Sequence, residues 1–136
     1  MRVLALDVGS RRIGVAISDE SQTIAQPLEY IDAQKTRPAL EIVRLCKEKK
    51  VTRVVIGLPL SMSGGDRGIS ARRARALGKV LEEKGHLEVV YVDERFSSTA
   101  AQSVLIEGNV SRQKRKELVD KLAASLILQG YLESLR

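Results

Sequence analysis

Residues 3–18 run Val3-Leu4-Ala5-Leu6-Asp7-Val8-Gly9-Ser10-Arg11-Arg12-Ile13-Gly14-Val15-Ala16-Ile17-Ser18. Two apolar stretches flank a short, basic, glycine-containing segment, the pattern of a β-hairpin. Strands are expected over 2–8 and 14–18, with Gly9 and Gly14 bracketing the turn, where absent side chains let backbone or phosphate come close. Asp7 is a carboxylate at the end of an otherwise apolar strand. A charge there calls for a hydrogen bond, a counter-charge or a metal, because burying it unpaired is costly. The plainer alternative is a charge that closes an edge strand.

Outward from the hairpin, the Gln26-Pro27 pair reads as a break before a third short strand near 28–31, completing an antiparallel meander. Thr36 and Pro38 open a helix over 38–49, with Leu40, Val43 and Cys46 or Lys47 at helical spacing. Val54-Val55-Ile56, ending at Gly57-Leu58-Pro59, has the continuous β-branched character of a strand covered on both faces. After the loop Ser61-Met62-Ser63-Gly64-Gly65, Ser70 is placed to cap a helix that reaches about residue 84 and stops at Gly85. Leu87 to Asp93 is a further strand. Thr99 and Gln102 have capping-box spacing for a short helix to Glu107, ended by Gly108-Asn109. A last helix is expected from about 114 to 135, with Leu118, Leu122, Leu126, Gln129 and Leu132 near one face.

This order, βββ-α-β-α-β-α-α, predicts an α/β sandwich. Its mixed five-stranded sheet has three antiparallel strands followed by parallel crossovers, with helices on both faces. That is the ribonuclease H-like order, which a generic mixed α/β layer protein also satisfies. The 136 residues fit one domain spanning 1–136, with no internal repeat or long linker. The single cysteine, Cys46, excludes an internal disulfide and reads as a small core residue, pointing to a reducing cytoplasm. No apolar run approaches the length of a membrane span, and the N-terminus does not resemble a signal peptide.

The net charge of +6 favours polyanionic partners. With only three tyrosines, one phenylalanine and no tryptophan, a base-stacking platform is disfavoured relative to phosphate contacts and shape. Three acidic positions stand out: Asp7 ending the first strand, Asp93-Glu94 ending the last strand, and Asp120 on the final helix. Neighbouring strand ends are expected to bring the first two together, with Asp120 reaching the same place if the helix crosses the sheet. Carboxylates so gathered raise each other's pKa values unless a cation compensates. Mg²⁺ suits such hard oxygen ligands, and paired ions of this kind drive phosphodiester hydrolysis without a histidine base. The lone His86 and the acids Asp19, Glu20, Glu82 and Glu83 read as solvated surface groups. Basic residues flank each acid: Arg11 and Arg12 beside Asp7; Arg67, Arg72, Arg75 and Lys79 after the glycine loop; Arg95 beside Glu94; and Arg112, Lys114, Arg115 and Lys116 before Asp120. A solvated basic face is the ordinary alternative for any one cluster.

Four segments in order, DVGSRRIGVA at 7–16, VVIGLPLSMSGG at 54–65, DERFSST at 93–99 and DKLAASLILQGYL at 120–132, resemble the YqgF family nearly end to end. That family is a RuvC-like branch of the ribonuclease H superfamily, described as Holliday junction resolvases and as pre-16S rRNA nucleases. The resemblance implies Asp7, Glu94 and Asp120 as catalytic, metal-binding acids, with Asp93 competing for the place of Glu94, and Arg12 and Arg95 as basic residues of the motifs. Two departures stand out. The fourth strand ends in Gly57-Leu58-Pro59, without the acid that RuvC places after its equivalent strand, and Ser63 replaces an acid common in the family's loop.

The reading that follows is a Mg²⁺- or Mn²⁺-dependent endonuclease on structured RNA or branched DNA, acting as a monomer or homodimer. Precursor 16S rRNA processing at the 5′ end is favoured over junction resolution, and that preference comes from the resemblance alone. A non-catalytic nucleic-acid-binding factor is the alternative from another class, motivated by the missing strand-four acid. A kinase-like reading of the Asp-x-Gly turn is disfavoured, because one domain lacks a second wall to close over a nucleotide.

Overall fold

The computed structural model describes residues 1–9, 11–34, 37–58, 66–93 and 112–135, the side chains of 66, 67, 93 and 112–121 excepted. Strands β1 (Arg2–Val8) and β2 (Arg12–Ser18) form the expected hairpin, with Val8 facing Ile13 and the Gly9 N–H donating to the Arg12 carbonyl at 2.9 Å. A Cβ at Gly9 would stand 2.7 Å from that carbonyl, so the turn closes only over a residue without one. Gly14 does not bracket the turn. It lies within β2, directly opposite Asp7, where pairing with β3 (Ala25–Asp32) slips: Ile13 faces Ile31, but Val15 faces Leu28. Glu29 and Tyr30 together oppose Gly14, a bulge of the kind strand glycines often mark. β3 is longer than expected and contains Gln26 and Pro27. Pro27 pairs with Ala16 on an edge strand, where a missing N–H is tolerated.

Strands β4 (Val51–Leu58) and β5 (Glu88–Asp93) join in parallel, giving the sheet order β3-β2-β1-β4-β5. Helices α1 (Pro38–Lys49) and α2 (Asp66–Gly85) cover one face, and α3 (Arg112–Ser134) covers the other. Pro38 opens α1 as expected, but its buried residues are Ile42 and Cys46, while Leu40 is 52% exposed. α2 starts at Asp66, four residues before Ser70. The glycines around 64–68 mask that start in the sequence, although an aspartate at a helix N-terminus complements the dipole. After α2 the left-handed residue is His86 (φ 53). Gly85 is needed instead for space, because a Cβ there would meet Val43 Cγ2 at 2.9 Å and Leu87 Cδ1 at 3.1 Å. The expected short helix to Glu107 lies outside the described residues.

Strand alternation sorts the core into two layers. Leu4, Leu6, Val15, Val54 and Ile56 meet Ile42, Cys46 and Leu81 on the α1–α2 side. Burial pushes the Cys46 thiol up to about 12, as suits the core role read from sequence. Val3, Ala5, Ala16 and Val55 meet Ala124, Ile127, Leu128 and Leu132 of α3. This seam replaces the leucine stripe expected on the last helix, where Leu122, Leu126 and Gln129 are only half-buried. Small residues, Ala5 and Ala16 against Ala124, let the helix settle onto the middle of the sheet.

At the start of β1 the ladder with β4 shifts between Arg2 and Val3. The buried Ser18 hydroxyl accepts from the Val3 N–H at 2.8 Å and donates to the Asp19 carbonyl at 2.9 Å. Replacing Ser18 with alanine leaves that buried N–H without its acceptor. Ser18→Ala is therefore expected to lower unfolding free energy by about 1–3 kcal/mol, read as an earlier urea midpoint with an unchanged slope.

Candidate functional site

β1, β4 and β5 are parallel, so Asp7, Leu58 and Asp93 all lie toward one end of the sheet. The expectation that β1 and β5 are neighbours is corrected by the strand order: β4 lies between them. Their ends are two strand spacings apart, about 10 Å. Leu6, Ile56 and Tyr91 are in register across the three strands, which sets Asp7 level with Gly57 and Val92. By alternation Asp7 shares the α3 face with Val3 and Ala5, and it is half-buried. Gly14, its direct partner, puts no side chain beside it, whereas paired positions on an antiparallel ladder ordinarily hold Cβ atoms about 4.5–5.5 Å apart. Two residues before Gly14, the exposed Arg12 has its guanidinium 5.5 Å from the centre of the Tyr30 ring. Arg11 is exposed in the same turn.

α3 is tied down at the other end of the sheet. Gln129 Oε1 accepts from the Ala25 N–H at 3.0 Å, and its Nε2 donates to the Thr23 carbonyl at 3.1 Å. The Tyr131 hydroxyl accepts from Arg53 at 2.9 Å, and Arg53 also pairs with Glu88 at 2.9 Å. These contacts lie at the level of Val3, since Val3 is in register with Arg53 and receives the Ser18 side chain, and Ser18 pairs with Ala25. From there α3 runs back toward the Asp7 end. Nine residues of helix from 129 to 120 span about 13.5 Å, and four residues of strand from Val3 to Asp7 span about 13 Å. Position 120 lies one turn before Ala124, which faces the sheet. For a helix laid along the strand, the two lengths match.

The remaining basic residues divide between the layers. Arg72, Arg75 and Lys79 are exposed on α2, across the sheet from α3, and Arg75 lies 5.3 Å from the centre of the Tyr91 ring. Gly78 makes room for that ring, since a Cβ there would collide with the Tyr91 hydroxyl. Burial raises the Tyr91 pKa, and Glu82 adds to the rise while Arg75 opposes it. Arg67 falls in the first turn of α2, and Arg112, Lys114, Arg115 and Lys116 fall in the first turns of α3. Glu94 and Arg95 lie outside the described residues. Among the described residues no three His, Cys, Asp or Glu side chains gather as a metal site, and no helix is long and apolar enough to cross a membrane. Sequence reasoning missed the placing of Gly14 and the ties made by Gln129 and Tyr131. A strand glycine directly beside a motif acid, and polar residues within the apolar second half of the last helix, were the available signals.

A family model described as "RuvX: Holliday junction resolvase" matches residues 1–134. The chain belongs to the RuvX (YqgF) family. A Bacillus cytotoxicus protein named "Putative pre-16S rRNA nuclease" is 46% identical, over 98% of this chain and 99% of its own length. A Clostridium beijerinckii protein of the same name is 45% identical, over 98% and 96%. Among solved structures, Thermus thermophilus RuvC in complex with a Holliday junction substrate aligns with a TM-score of 0.64 at 15% identity, covering 98% of this chain and 96% of that one. The fowlpox virus Holliday junction resolvase aligns at 0.55 and 16%, covering 98% and 99%. At such identities these structures speak to the fold, which is the ribonuclease H-like one expected from the element order.

One further acid of this RuvX-family chain has a structural task. Asp19 is partly exposed at the far end of β2 from Asp7, yet it is more than a solvated charge. Its carboxylate accepts from the Ser21 hydroxyl at 2.6 Å, the Thr23 N–H at 2.7 Å and the Ile24 N–H at 3.1 Å. Those bonds, the Ser21 hydroxyl foremost, lower its pKa to about 2. A carboxylate lowered by folding stabilises the native state above its unfolded value, and that contribution fades as pH falls toward the folded value. Carbon-detected titration should find Asp19 titrating near the bottom of the carboxylate range, and Asp19→Asn should flatten the loss of stability between about pH 4 and pH 2.

Proposed function

We propose that this chain is a divalent-metal-dependent endonuclease that hydrolyses phosphodiester bonds in structured RNA, in the 5′-end processing of precursor 16S rRNA. The observation that carries the chemistry is the setting of Asp7: a half-buried carboxylate at the carboxyl end of the central strand, on the face α3 covers, with Gly14 opposite. The names of relatives about 45% identical over nearly the whole chain favour RNA as substrate.

In this reading Asp7, Glu94 and Asp120 form the acidic centre. Glu94 is taken over Asp93 on the resemblance of the segment 93–99 to the family motif. Asp120 is favoured by the level of its helix position. A set of carboxylates without histidine or cysteine suits Mg²⁺ or Mn²⁺ rather than zinc. When bound, such a metal activates water and neutralises charge developing on the phosphate. The chain's own residues do the rest. Arg12 holds a phosphate oxygen near Asp7, and the absent side chain at Gly14 leaves that approach free. Arg11, Arg67, Arg72, Arg75, Lys79, Arg95, Arg112, Lys114, Arg115 and Lys116 hold the flanking polyanion, an interaction that weakens steeply with salt.

The test compares wild-type protein and Asp7→Asn, purified identically, on an end-labelled rRNA-precursor stem and a four-way DNA junction. Cleavage of the stem that requires Mg²⁺ or Mn²⁺ and falls to background in Asp7→Asn is the expected result. Undiminished cleavage by Asp7→Asn overturns the acidic centre. Preference for the junction replaces the RNA with branched DNA, and binding without acid-dependent cleavage leaves a non-catalytic binding factor.

A further inference from the structure

The polar ties on α3 flank two strands, β2 and the strand that carries Asp7. Gln129 reaches to one side, bonding the edge strand β3 and the residue segment before it through both ends of its amide. Tyr131 reaches to the other side, accepting from Arg53 of β4. β2 and β1 lie between them in the sheet. The apolar seam beneath, Ala124, Ile127, Leu128 and Leu132, presses the helix onto the sheet but is non-directional and resists sideways displacement weakly. Hydrogen bonds are directional, and two that pull toward opposite edges fix where the helix sits across the sheet.

We infer that Gln129 and Tyr131 are positioning residues that hold α3 in place across β2 and β1 and thereby set the distance between Asp120 and Asp7. The inference rests on the acidic centre proposed above. Neither side chain touches the reacting atoms; both act about 13–16 Å along the helix from position 120. Losing one tie releases the helix toward the opposite edge and opens the acidic centre, and displacements near 1 Å in such a centre cost about a hundredfold in rate.

The test uses the full chain carrying Asp7→Cys and Asp120→Cys, cross-linked by a short bifunctional thiol reagent, with the buried Cys46 silent. Cross-linking in this parent reports on the acidic centre itself: none means that Asp120 is not near Asp7, and the functional reading falls. Adding Gln129→Met or Tyr131→Phe, which keep side-chain bulk and remove the hydrogen bond, is expected to slow cross-linking severalfold. In the otherwise wild-type chain the same two changes are expected to weaken Mn²⁺ binding, read by electron paramagnetic resonance, by about tenfold, and to lower kcat with KM little changed. Cross-linking and Mn²⁺ affinity that match the parent's in both variants, even with a lowered melting temperature, would reduce the two residues to ordinary stability and overturn the inference.

Discussion

Everything in this molecule depends on the pairing of β1 on both sides, antiparallel to β2 and parallel to β4. That pairing makes one strand the boundary between a local hairpin and the long crossovers, and it fixes which face each residue of β1 meets. Leu4 and Leu6 go to the α1–α2 layer, while Val3 and Ala5 go to α3. Asp7 follows Val3 and Ala5. A slip of one residue would send two leucines against α3 and turn Asp7 into the other layer, so the apolar pattern of the strand holds the carboxylate on its face. The Ser18 hydroxyl on the Val3 N–H reinforces this register where the ladder shifts.

The face that Asp7 shares is covered by a single helix, and two kinds of force act on it. Burying Ile127, Leu128 and Leu132 is favourable by about 1.5–3 kcal/mol each. The Arg53–Glu88 pair, with side chains 34% and 60% exposed, is worth about 0–1 kcal/mol. Adhesion therefore comes from the apolar seam. Direction comes from the hydrogen bonds of Gln129 and Tyr131, which are weak in total yet specific in place. A site assembled from a strand end and a helix needs both.

The fold was legible because its signals were local or periodic: the hairpin around Gly9, the β-branched run of β4, and Pro38 at the head of α1. The misreadings share a cause. Pro27 and Gly14 were taken at their local preference, and each is overridden by position: an edge strand and a bulge. The seam of α3 was misplaced because counting leucines overlooks alanines, which permit the closest packing. Of the candidate site, Asp7 and its turn were legible as an exception to an apolar pattern. The separation of β1 from β5 by β4 was not, because strand order is decided by pairing between residues far apart in sequence, and no local propensity encodes it.

The charges on α2 fit the same picture from the other layer. Arg67, Arg72, Arg73, Arg75 and Lys79 occupy its first two thirds, and Glu82 and Glu83 come near its end. The helix dipole has little say in this order, because it acts within the first and last turns, where Asp66 and Lys84 complement it while Arg67, Glu82 and Glu83 oppose it. The helix itself gains nothing from that order. α2 follows β4 in the chain, so its basic first half starts from the sheet end where Asp7 lies. In the proposed function these arginines, beside the carboxyl edge of the sheet, are available to an external polyanion. That polyanion crosses the edge, meeting Arg12 and Asp7 on one face and α2 on the other.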